Sequence, residues 1–310
     1  MGEQPLGIRR LKLLLAYWVN LQGHSVSHPA KAILEDCWEH NESHFMSFGW
    51  IGNVKAVQAG LGHILFSPTV PYSCTPPWLF IEPTIHFEIQ QQLKKRNRQA
   101  SAGGVAEGYL EKHFSDKTLI FTDGSKDPDT GRTGAAVFIP QYKIHIKKRT
   151  TDHLSVFTVE LAAIILGLEW IEGNNHKNTL IVSDSWAALT SIKTMKSCRQ
   201  DLIFKIHNQL HRMNKRGLAV CFIWVPAHVG IEGNEGVDIL AKQSLRSHTV
   251  DMDIPLCREE GKSIIKKHVG KVWQEYWDIQ DTGRHLYNIQ KHVGKEEGQE
   301  PEGRSSDHTT

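Results

Sequence analysis

Asp123, Glu160, Asp184 and Asp238 are the residues of this 310-residue chain whose types and surroundings best suit chemistry. Asp123 stands in Phe121-Thr122-Asp123-Gly124-Ser125, Glu160 in Thr158-Val159-Glu160-Leu161 and Asp184 in Val182-Ser183-Asp184-Ser185. Asp238 ends the run from His228 through Gly233-Asn234-Glu235. Acids gathered on one folded surface repel one another unless cations hold them. Magnesium suits such a place, because it prefers carboxylate oxygens and keeps waters and substrate phosphates as its other ligands. The chemistry therefore depends on which elements bring the four together.

A strand from Thr118 to Thr122 is expected to end at Asp123, and an apolar run from Leu180 to Val182 at Asp184. Ligand sites in open α/β sheets gather just past such strand ends. Glu160 is expected to open a helix whose Leu161, Ile164, Ile165, Leu168 and Ile171 share one buried face. Asp238 belongs to the first turn or so of a closing helix from Asn234 to Leu245. Between these lie a hairpin (Ala135 to Ile139, Tyr142 to Lys148), two helices near 185–195 and 201–216, and a strand from Leu218 to Val225. The order β-β-β-α-β-α-α-β-α predicts an α/β fold with a mixed five-stranded sheet, antiparallel at one edge and covered by helices on both faces. Singly, each acid has a bland reading as turn former or helix-end residue. Four in this topological order do not.

The flanks read differently. Residues 1–100 form a helical and irregular segment, with an amphipathic helix from Ile8 to Gln22, a Pro-rich stretch from Pro68 to Pro77 and a helix-like piece from Ile85 to Arg98. Residues 101–116, small and Gly-rich at their start, read as a linker. Residues 117–248 make the acid-bearing domain, 249–294 a helical extension and 295–310 a disordered tail. The net charge of +2 excludes a global field for a polyanion, so any nucleic-acid surface is local. Five scattered cysteines argue against a disulfide framework. No apolar run spans a bilayer and no secretory pattern opens the chain, so a place in the cytoplasm or nucleus is expected; a monomer is the expected state. His24 and His28, with Cys37, His40 and His44 further on, lack the CxxC partner of a structural zinc site, and zinc is not expected.

From about 117 to 247 these motifs resemble the type 1 ribonuclease H family. The resemblance implies hydrolysis of the RNA strand of an RNA–DNA hybrid with two magnesium ions, or manganese in their place. It implies that Asp123 bridges both ions, that Glu160 and Asp184 complete one site and Asp238 the other, and that His228 assists catalysis or product departure. Gly124, Ser125, Asn234 and Glu235 are candidate readers of the hybrid. Lys147, Lys148, Arg149, Lys193, Lys196 and Arg199 are candidate phosphate contacts. Val156-Phe157 stand where many cellular members carry polar readers before the Glu. The wider chain resembles the C-terminal part of a non-LTR retrotransposon polyprotein, although no Tyr/Phe-x-Asp-Asp polymerase signature is present and any polymerase module is absent. The order Asp-Glu-Asp-Asp separates the chain from integrases, whose Glu comes last on a late helix, and from exonucleases that want Asp-x-Glu in the first strand. The alternative is a catalytically silent, nucleic-acid-binding remnant of such a polyprotein.

Overall fold

The computed structural model describes residues 4–40, 52–70, 73, 75–95, 101–281 and 284–293. The expected tail at 295–310, His44, Arg98 and the side chains of Cys37 and His40 lie outside the described residues. The chain divides into two units. The first comprises residues 1–21, 29–63 and 261–310, the second residues 22–28 and 64–260. The first unit is helical, with α1 (Leu6–Gln22), α2 (Pro29–His40) and α3 (Gly52–Gln58). Within it the buried Trp18 donates its indole N–H to Asn53 Oδ1 at 2.7 Å.

The second unit carries the sheet. Its strands are β1 (Thr84–His86), β2 (Thr118–Lys126), β3 (Thr133–Ile139), β4 (Ile144–Thr150), β5 (Thr179–Ser183) and β6 (Val220–Trp224). They lie in the order β1-β6-β5-β2-β3-β4, parallel from β1 to β2 and antiparallel from β2 to β4. The expected mixed α/β sheet is present with six strands rather than five. The additional one is β1, where a helix was expected to begin at Ile85; a three-residue strand is too short to declare itself by alternation.

Ile120 pairs with Ile181 and Phe121 with Val182, so the two-residue period of each strand sends neighbouring side chains to opposite faces. Helix α6 (Val156–Gly173) covers the Ile120 and Ile181 face, with Gly167 against Thr122, Ile120 and Ile181. The other face packs on α4 (Glu88–Lys95), α5 (Ala102–Phe114) and α9 (Glu232–Ser244) through Ile89, Leu110, Phe114, Phe121, Val182, Ile223 and Val237. Helices α7 (Trp186–Thr194) and α8 (Gln200–Lys215) complete the unit. β5 is buried along its whole length, which is why it reads as an unbroken apolar run.

Two expectations about the flanks are corrected. The supposed linker at 101–116 is largely helix α5, N-capped by Ser101, whose side chain accepts from Gly104 N at 3.0 Å. Gly103 in its first turn faces the Val229 carbonyl so closely that any side chain there would collide, so this glycine serves a close approach rather than flexibility. Residues 249–260 belong with the sheet. Asp251 accepts from Arg149 N at 2.9 Å, Ile254 N donates to Thr151 Oγ1 at 2.8 Å, and Met252 bridges Thr150. α10 (Arg258–Ile279) and α11 (Arg284–Ile289) follow in the chain.

The Glu260 carboxylate closes this clasp. It accepts from Ser155 N at 2.7 Å, Thr158 Oγ1 at 2.6 Å, Cys257 N at 2.8 Å and the Arg199 guanidinium at 3.2 Å. Arg199 is 0% exposed and also holds Asp201 through two bonds. It therefore cannot grip a phosphate, contrary to its sequence reading. Arg149, likewise buried, binds Asp152 and the Thr133 carbonyl instead. A glutamate removed from such a pair leaves a charge buried with incomplete partners. Glu260→Ala is expected to destabilise the protein by about 3–5 kcal/mol in denaturant unfolding. A change under about 1 kcal/mol would mean that the network is solvated.

Candidate active site

Three of the four acids meet at one end of the sheet. Asp123, Glu160 and Asp184 each bring a carboxylate oxygen within 4.8 Å of the others. Asp123 lies inside β2, paired with Ala136 across the β2/β3 ladder, and not past the strand's end as expected. Glu160 lies in the second turn of α6, which starts at Val156; it does not open that helix. Asp184 follows β5 directly, as its sequence context suggested.

Gly124 explains how a helix residue reaches a strand residue. A Cβ on Gly124 would stand 2.5 Å from the Val159 carbonyl carbon and 2.7 Å from Glu160 N. Only a glycine lets α6 come this near β2 and set Glu160 beside Asp123. The residue was expected to read substrate; its place is under the helix.

The trio is largely dry. Asp123 is 8% and Glu160 6% exposed, and Glu160 Oε2 is buried with no hydrogen-bond partner. Burial is the first cause lifting all three carboxyls above their ordinary range. For Asp123 burial acts together with the negative charges of Asp184 and Asp238 and brings it to about 7. Asp123 and Asp184 also push Glu160 upward. For Asp184, the Asn234 amide and His228 act against the rise. A buried, unpartnered carboxylate oxygen among three raised acids is a donor set that fits a hard divalent cation, which would supply the missing partner and cancel the repulsion.

Asp238 stands next door. Its carboxylate, His228 and Glu235 form a second trio whose ligand atoms also lie within 4.8 Å of one another. Asp238 raises Asp123 and Asp184 by its charge, so the two trios share one field. Lys242, one helical turn on, pairs with Asp238 at 2.7 Å. The spacing of four residues on one helix announces that pair, although the sequence reading passed over it. His228 is exposed on the loop before α9, with a left-handed φ of 52° that is uncommon outside glycine. Helix α5 braces the loop: Gly103 backs onto Val229, and Glu107 accepts from Glu232 N at 3.1 Å.

The remaining candidates divide. Asn234 is 3% exposed and donates its amide to Asp184 Oδ2 at 3.1 Å, so it orients an acid where a substrate reader was expected. Glu235 faces His228 and accepts from Gly230 N at 3.2 Å. Ser125 is half-buried at the end of β2, and Lys147, Lys193 and Lys196 are exposed. Val156, at the first position of α6, is exposed beside the half-buried Phe157. Among the described residues Cys198, Cys221 and Cys257 are free thiols, and no helix is long and apolar enough to cross a membrane.

Residues 115–246 match the model of the RNase H family, a stretch that contains all four acids, His228 and both trios. The match supports an RNase H domain over these residues and, with it, a nucleic-acid substrate; proteins of that family generally use divalent metal. The match begins after α5 and ends before Glu260, so β1, α5 and the 249–260 side of the clasp lie outside it.

Proposed function

We propose that this protein cuts the RNA strand of RNA–DNA hybrids internally, using two magnesium ions, or manganese in their place. The observation that supports the reading most is the buried Asp123–Glu160–Asp184 trio sharing one field with His228, Glu235 and Asp238. Asp123 belongs to the first group and feels the charge of Asp238, so it would serve both ions, with Glu160 and Asp184 completing one site and Asp238 the other. Bound there, the cations would activate water and stabilise the oxygen that leaves phosphorus.

The chain's own groups do the rest. Asn234 fixes the rotamer of Asp184 by its amide bond. Gly124 and the packing of α6 hold Glu160 at its post. His228, exposed on its loop beside Asp238, moves a proton at the departing strand. Ser125, on the strand that carries Asp123, and Glu235, beside Asp238, would read 2′-hydroxyls of a hybrid. The protein is read as a retroelement derivative acting in the cytoplasm or nucleus as a monomer.

The test is direct. Purified protein given a labelled hybrid with magnesium is expected to cut the RNA strand internally and to spare the DNA strand, duplex DNA and single-stranded RNA. Folded protein that leaves the hybrid whole in both magnesium and manganese would overturn the proposal.

A further inference from the structure

The strand that was not expected changes what borders the acids. β1, β6 and β5 run parallel, so their carboxyl ends lie side by side at one rim of the sheet. Asp184 follows β5, Trp224 ends β6, and Phe87 follows β1. Trp224 donates its indole N–H to the Asp184 carbonyl at 2.9 Å. Trp186, two residues after Asp184, stands edge-on to Trp224 at 5.3 Å and tilted against Phe87 at 4.4 Å. Lys193, exposed at the end of α7, holds its ammonium 5.8 Å from the Phe87 ring centre.

Packing accounts for part of this cluster and leaves part unexplained. Trp186 remains 39% exposed although two aromatic rings adjoin it, and among the described residues Lys193 forms no ion pair. An exposed indole, a half-buried phenyl and an exposed ammonium beside an acid trio offer both halves of a nucleic-acid contact. The rings can lie against sugar faces, and the ammonium can take a phosphate.

We propose that Phe87, Trp186 and Lys193 form a substrate platform that carries the nucleic-acid strand running past Asp184, the rings taking sugar faces and Lys193 a backbone phosphate. Phe87 comes from a segment outside the RNase H match, so the platform is a property of this chain's additional strand. It also supplies a local grip for a protein whose net charge is only +2 and whose Arg149 and Arg199 are buried in structural pairs. The inference rests on the proposed hybrid cleavage, whose site it extends.

Steady-state cleavage of a hybrid by the full chain tests it, with binding measured in parallel over a range of salt. Trp186→Ala is expected to raise KM about 10-fold, the scale of one lost stacking contact, with kcat little changed. Trp186→Phe, which keeps a ring, should restore most of the loss. Lys193→Ala, at an exposed position where folding is not at stake, should lower the slope of log affinity against log salt by about 1. Lys177→Ala, exposed at the opposite end of β5, serves as the control that leaves both unchanged. If wild-type protein neither binds nor cuts hybrid, the proposed function falls and the platform with it. If wild-type protein cuts hybrid while Trp186→Ala and Lys193→Ala behave like Lys177→Ala, the platform alone is refuted. A Trp186→Ala variant that only melts earlier and turns over more slowly, at unchanged KM and salt slope, refutes it equally.

Discussion

Asp123→Asn is expected to abolish cleavage of the hybrid, by at least roughly 10²–10³-fold, the scale on which one preorganised electrostatic group acts. The same substitution should raise the melting temperature of the metal-free protein at neutral pH. Both follow from one geometry. Asp123 is 8% exposed and sits within reach of Glu160 and Asp184, so its charge is useful to a cation and a burden without one. Asparagine keeps the shape and removes the burden along with the ligand. Hybrid cleavage and thermal melts of the two proteins, side by side in chelator and in magnesium, check the claim. A variant that cuts at the wild-type rate, or that melts earlier in chelator, contradicts it.

The second large effect is on pH. Asp123 is raised from about 3.8 in an unfolded chain to about 7, so between those values the folded state holds more protons than the unfolded one. Stability of the metal-free protein must therefore fall as pH rises across that window. Asp123 alone accounts for a loss on the order of 4 kcal/mol between about pH 4 and pH 8. Glu160 and Asp184 act in the same direction. A bound divalent cation replaces the protons, so magnesium should stabilise more at pH 8 than at pH 6, and cleavage should fade as pH drops and protons reclaim the carboxylates. Melting curves from pH 5 to 8 with chelator or magnesium decide the matter. A metal-free melting temperature that climbs with pH would show that the acids are solvated and apart.

Much of this arrangement was legible in the sequence because it is written locally. The continuous apolar run ending at Asp184 could be little else than a strand covered on both sides, and the spacing of Leu161, Ile164, Leu168 and Ile171 fixed a helix behind Glu160. Asp123 was harder. Asp-Gly-Ser reads as a turn, yet β3 draws it into a ladder that continues to Lys126, and pairing is a property of two segments at once. Likewise β1 is a strand because β6 offers it an edge, and nothing in three residues says so. Arg199 carries the composition of a phosphate contact, and only Glu260, 61 residues away, turns it into a buried strut. The small residues near 103 have the look of a linker because the sequence does not display the Val229 carbonyl that Gly103 must approach.

The clasp at Glu260 also sets an order of events during synthesis. The helix that carries Glu160 is capped by Ser155, whose backbone N–H donates to a carboxylate 105 residues later in the chain. A ribosome adding about 5–20 residues per second needs roughly 5–20 s to cover that distance. Until then Ser155, Thr158 and Arg199 wait without the acceptor they share, and the closure joins segments far apart in sequence, the kind of contact that makes folding slow. The catalytic unit is therefore finished from its C-terminal side: its first acids are made early, and they are locked in place last.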